Sequence, residues 1–179
     1  MITNYKNLLI LSLLVFCFSC KQTEKESFPF PSEHYTNTTF PKPVGFINDF
    51  DSIFSDTEEA SLFRLVKEHE AKTSNQIAVV TINDLKGYDD IEKYSLDLVN
   101  YWGVGQKYKN NGSLITIHKK ARKIWIQNGD GLVTKLTDGE TAYIIQSKII
   151  PEFKRNSYYK GISRGIEAII KELTKEDEN

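Results

Sequence analysis

Residues 113–118 (SLITIH) and 123–127 (KIWIQ) flank a short basic turn, and both runs are rich in β-branched and apolar side chains. A break this short between two such runs predicts an antiparallel hairpin. In a hairpin the start of the first strand lies beside the end of the second. The polar loops on either side, Asn110-Asn111-Gly112 and Asn128-Gly129-Asp130-Gly131, are therefore expected to meet at one rim of a sheet. They carry amide and carboxylate oxygens on backbone that glycine allows to bend sharply. Such a rim suits a hard cation or a small polar ligand better than an apolar one.

Periodicity places the remaining elements. Ser55 precedes an acidic first turn, Asp56-Thr57-Glu58-Glu59, and Leu62, Leu65, Val66 and His69 recur at helical spacing to about Thr73. Ser74-Asn75 break this helix, and residues 76–82 (QIAVVTI) form a buried strand. Asp89-Asp90 open a second helix, with Ile91, Tyr94, Leu98, Tyr101 and Trp102 on one face and Gly103 as its stop. Thr137-Asp138 begin a third helix that Pro151 perturbs, and residues 159–173 form a fourth. Strand, helix and strand in succession predict a parallel pair, to which the hairpin adds an antiparallel strand. The expected fold class is α/β: a three-layer α/β/α sandwich around a small mixed sheet.

The amino-terminal segment carries a location signal. Within residues 1–19 the only charge is Lys6, and an apolar run from Leu8 to Phe18 is too short to span a bilayer but has the length of a signal-peptide core. Ser19 then precedes Cys20, which looks like a bacterial lipoprotein processing site, with Cys20 as the point of lipid attachment. An ordinary secretory leader is the alternative. Residues 20–43 hold four of the chain's five prolines among Ser, Thr, Glu and Lys, the composition of a disordered tether. Residues 44–179 suffice for one compact domain with a real core. The expected setting is the bacterial cell envelope, with the domain held to a membrane and standing clear of it.

Several chemistries are set aside. Cleavage before Cys20 discards Cys17 and leaves no thiol in the folded domain, hence no disulfide, thiolate metal cluster or cysteine nucleophile there. The formal net charge is −1, from 23 basic and 24 acidic residues, and loss of Lys6 makes it more negative. No nucleic-acid-binding face is implied. The cluster Lys119-Lys120-Ala121-Arg122-Lys123 is expected to be a solvated turn that guards a sheet edge, with a partner patch as the alternative. No phosphate-binding G-x-x-x-x-G-K-[ST] loop occurs. Of the histidines, His34 falls in the tether, His69 on the apolar stripe of the first helix, and His118 at the rim opposite the polar loops.

An ordered set of short motifs carries a resemblance. Ile47-Asn48-Asp49, Gln76-Ile77-Ala78-Val79-Val80, Trp102-Gly103-Val104-Gly105, Asn110-Asn111-Gly112, Gly129-Asp130-Gly131-Leu132 and Thr137-Asp138 together resemble the TPM domain, from about Phe46 to Gly165. The resemblance implies an α/β/α sandwich, divalent-cation binding as in some bacterial members, and phosphatase activity as in plant members. It also implies work in the assembly or maintenance of membrane protein complexes. Its motifs mark Asp49, Asn110 and Asn111 as ligands of a divalent cation, calcium first. Asp130 stands where the family commonly has an aromatic or basic residue, and hairpin geometry adds it to that set. Val133 stands where the family often has glutamate.

The same residues have a plainer use: Asp49 organising the turn before the first helix, and Asn110 and Asn111 supplying left-handed turn conformations. The stretch from Asp49 is no EF-hand, since Phe54 and Ala60 stand where that loop needs glycine and glutamate. Two functional classes stay open. One is a lipid-anchored, cation-binding module acting on envelope membrane protein complexes. The alternative is a metal-assisted acid phosphatase, for which no catalytic residue can be named from the sequence.

Overall fold

The structure, a computed structural model, describes residues 40–175. The leader, Cys20 and the tether as far as Thr39 lie outside the described residues. Four strands form one sheet in the order β1-β2-β3-β4. These are β1 (Ile47–Asp49), β2 (Gln76–Thr81), β3 (Gly112–His118) and β4 (Lys123–Asn128). β1 and β3 flank β2 in parallel, and β4 closes the hairpin antiparallel to β3. The expected mixed sheet is present, with β1 added. Three residues are too few to display a period of two, which is why the sequence pattern did not reveal that strand.

Alternation along the central strands builds two cores. Ile77, Val79, Ile115 and Ile117 face one side, where they meet Leu62 and Val66 of α1 (Asp56–Thr73) and Ile162, Ile166 and Ile169 of α5 (Tyr158–Leu173). Ala78, Val80 and Leu114 face the other side, against Tyr94, Leu98 and Trp102 of α2 (Ile91–Trp102). Successive side chains on a strand point to opposite faces. Every position of β2 and β3 is buried, so helices must cover both faces, and the three-layer α/β/α sandwich follows.

Local signals fix the helix ends. Ser55 caps α1 in a capping box with Glu58, and Thr137 does the same with Glu140 for α3 (Asp138–Ile144). Asp90 caps α2 by accepting from the Lys93 amide at 2.7 Å. Pro151 does not end the third helix. The chain passes through a π-helical turn, Ile145–Ile149, into α4 (Ile150–Phe153). A proline offers no N–H, and its ring would press on the carbonyl four residues back; the wider turn accommodates both.

The folded unit begins earlier than residue 44. Phe40, assigned by composition to the tether, is buried against the rings of Tyr88, Tyr94 and Tyr101 at centroid separations of 5.8, 5.3 and 5.4 Å. The Trp102 indole N–H also donates to the Pro41 carbonyl at 2.8 Å. One aromatic residue outweighs the polar average of its neighbours, because it finds a ready slot over α2. Among the described residues no helix is long and apolar enough to cross a membrane.

Candidate functional site

The two polar loops meet at the amino end of β3, as the hairpin requires. The Gly129 amide donates to the Gly112 carbonyl at 2.8 Å and the Gly131 amide to the Asn110 carbonyl at 3.1 Å. Side chains do the rest of the joining. Asn111 is buried; its Oδ1 accepts from the Gln106 amide at 2.8 Å, and its Nδ2 donates to the Ser74 carbonyl at 2.8 Å and to Asn75 Oδ1 at 3.1 Å. Gln76 Oε1 accepts from the Gly105 amide at 2.8 Å. Asn128 accepts from the Ser113 hydroxyl at 2.8 Å, and its amide donates to the Thr141 hydroxyl at 2.9 Å. The α1–β2, α2–β3 and β4–α3 connections are thereby tied into one clasp. Glycine is required at 131, where a Cβ would press into the Lys109 carbonyl and hold the loops apart.

Asp49 stands elsewhere. It pairs with Thr81 in the parallel β1–β2 ladder, whereas Asn111 lies beside Gln76 at the start of β2. At about 3.3 Å per residue the two positions are roughly 16 Å apart along the strand. The expectation that Asp49 reaches the same rim fails, because β1 runs parallel to β2 and carries its last residue to the opposite end. There the Asp49 carboxylate accepts from the Thr81 hydroxyl at 2.5 Å and from the Phe54 amide at 2.7 Å. It shapes the turn into α1.

At that opposite end the hairpin turn and the α4–α5 connection enclose a cavity of about 420 Å³, into which His118, Lys119, Arg122, Lys123 and Lys154 contribute. His118 is buried, and its Nδ1 has no hydrogen-bond partner among the described residues. The basic cluster is an exposed turn, as expected, and residues of it also line this cavity.

A family model for the TPM domain matches residues 47–172. The chain belongs to the TPM-domain family. A solution structure of the N-terminal domain of a protein from P. gingivalis is similar at 27% identity, covering 80% of this chain and 88% of that one, with a TM-score of 0.66. The N-terminal domain of the cg2496 protein from Corynebacterium glutamicum is similar at 14% identity, over 86% of this chain and 91% of that chain, with a TM-score of 0.59. The BA42 protein from Bizionia argentinensis is similar at 19% identity, over 69% and 83%, with a TM-score of 0.61. These last two share the fold. No curated protein matches.

The four residues marked as cation ligands in this TPM domain do not form one donor set. Asp49 is at the wrong end of the sheet with both carboxylate oxygens engaged, and the single side-chain oxygen of Asn111 already accepts from Gln106. Asn110 and Asp130 remain, both exposed, with Asn110 in the left-handed region at φ 46°. Calcium takes six to eight oxygens, and among the described residues no group of three or more His, Cys, Asp or Glu side chains is placed to hold a metal. The donors present do not fit a preformed calcium cage. Gln76 and Asn128, part of the motifs above but not marked as ligands, share the clasp with Asn111. Both sit at strand ends, where a polar residue beside a buried run is the available signal.

Proposed function

We propose that this TPM domain is a lipid-anchored binding module of the bacterial cell envelope, tethered through Cys20 and acting in the assembly or maintenance of membrane protein complexes. What supports binding over hydrolysis is the commitment of the loop rim. Asn111 at the rim and Asp49 at the other end of the sheet, both marked by the resemblance as ligands of the cation that a metal-assisted phosphatase would use, are held by backbone and hydroxyl partners within the fold. Hydrolysis needs a positioned nucleophile or a metal-bound water, with donors aimed at the developing charge. The loop rim offers Asp130 and Asn110 alone, and divalent cations touch the domain through these two residues with affinity on the order of millimolar.

Tethering makes weak contacts sufficient, since a short flexible linker gives effective concentrations of about millimolar. The test compares full-length protein with Cys20→Ser in a deletion strain at matched level, alongside turnover of a generic phosphomonoester by purified protein. Loss of complementation in Cys20→Ser, with no turnover above background, is expected. Full complementation by Cys20→Ser, together with turnover that Asp130→Asn abolishes while the fold persists, would overturn this reading in favour of the phosphatase.

A further inference from the structure

We propose that the clasp is a site of slow covalent modification, in which Asn111 and Asn128 deamidate to aspartate or isoaspartate when the loop contacts that hold them open. The proposal depends neither on the tether nor on any cation at the rim. Asn-Gly is found twice in the chain, as Asn111-Gly112 and Asn128-Gly129. Both copies lie in the clasp. In this dipeptide the asparagine side chain meets the next backbone nitrogen most readily, because glycine has no Cβ in the way.

The reaction needs only water. The glycine amide nitrogen bonds to the asparagine Cγ, and its proton leaves with the side-chain nitrogen as ammonia. A cyclic imide results. Water then opens the imide at either carbonyl, giving aspartate in one case and, in the other, isoaspartate with the backbone routed through the side chain.

The fold fixes both halves of each dipeptide. A Cβ at 112 would press into the Val104 carbonyl, and one at 129 into the Asn110 carbonyl, so neither glycine has room for a side chain. The asparagines are fixed by what they join. Asn111 ties the Gln106 amide to the Ser74 carbonyl, and Asn128 ties the Ser113 hydroxyl to the Thr141 hydroxyl. Close approach of the loops therefore demands the most labile dipeptide at both places.

The same contacts delay the reaction. Closure of the imide requires the carboxamide to turn its face to the glycine nitrogen at near-contact distance. The Asn111 carboxamide is held by three hydrogen bonds, to Gln106, Ser74 and Asn75. At the second dipeptide the nitrogen is engaged as well, since the Gly129 amide donates to the Gly112 carbonyl at 2.8 Å. Both groups must be released together, so the rate follows local opening of the clasp. A carboxylate at 111 cannot donate to the Ser74 carbonyl, and reaction there removes a bond that delayed it.

Full-length protein is held at mildly alkaline pH in heavy-oxygen water, and peptide mapping by mass spectrometry follows Asn111, Asn128 and Asn156. The last is exposed, precedes serine and lies outside the clasp. Heavy oxygen enters only where an imide opened during the incubation. At 111 and 128 the folded protein should react on the order of a hundredfold more slowly than the chain unfolded in guanidinium chloride. Two variants separate clasp opening from global unfolding without altering either dipeptide. Asn75→Ala removes an acceptor from Asn111, and Thr141→Val removes one from Asn128. Each should quicken its own asparagine by about fivefold to tenfold, the factor that one buried hydrogen bond supplies, and leave Asn156 unchanged. Equal rates in folded and unfolded chains would overturn the proposal. So would variants that quicken neither asparagine, or that quicken Asn156 as much.

Discussion

At the amino end of the sheet, Asn111, Gln76 and Asn128 direct their side-chain donors and acceptors into neighbouring loops. At the carboxyl end, the buried His118 Nδ1 has no hydrogen-bond partner among the described residues, and four cationic residues line a cavity at the same end. Both ends are polar and both are lined by loops, so composition does not distinguish them. The difference lies in where hydrogen-bonding capacity goes. A buried amide with every group satisfied rigidifies its surroundings, whereas a buried polar group left unsatisfied costs stability where it sits.

The largest effect that tests this contrast is loss of the clasp. Asn111→Ala strands the Gln106 amide and the Ser74 carbonyl and should lower stability by on the order of 3 kcal/mol in urea unfolding. A change within about 0.5 kcal/mol, the range of ordinary surface substitutions, would mean that the clasp is ornamental. Gly131→Ala comes next. A methyl group there meets the Lys109 carbonyl, and forced separation of the loops should cost about 1–3 kcal/mol. Amide exchange should quicken at Gly129 and Gly131 while β2 stays protected.

A smaller effect comes through pH. His69 is buried at the carboxyl-terminal part of α1, and its side chain contacts the Thr73 hydroxyl at 3.3 Å near the clasp. Burial, and secondarily the Lys72 charge, hold its pKa below the ordinary imidazole value. The unfolded chain therefore takes up a proton more readily than the folded one. This contribution to stability is complete above the ordinary imidazole range and is lost as pH falls through the depressed folded value. His69→Gln should flatten that part of the stability–pH curve, and an unchanged slope would assign the dependence elsewhere. The smallest effect belongs to Asp130→Ala. With no clasp bond to lose it should move stability by no more than about 0.5 kcal/mol, and it should abolish what little a calcium titration shows.

Much of this fold was legible because its signals are local and repeated. Ser55 with Glu58, Asp90, Gly103 and the alternation of β3 each specify an element within a few residues. β1 was not legible, since three residues carry no period and its pairing partner lies across α1. That single omission displaced Asp49. Without β1 as a parallel edge strand, nothing in the sequence says that Asp49 ends at the rim opposite Asn111. The meeting of the two loops was legible from hairpin geometry, but the direction in which Asn111 points was not. Left-handed backbone at Asn110 and burial at Asn111 turn adjacent, identical residues to opposite uses. The cavity beside His118 escaped notice because its walls come from the hairpin turn and the α4–α5 connection, which are distant in sequence.

The most direct measurement takes Asn111→Asp, nearly the same shape with a charge added, and follows its unfolding midpoint with and without calcium. An aspartate is a better calcium ligand than an asparagine but cannot donate to the Ser74 carbonyl or to Asn75 Oδ1. The clasp account predicts a midpoint well below that of the unmodified protein, and just as low when calcium is added. A midpoint that calcium restores to or above the unmodified level would contradict it and make Asn111 a cation ligand.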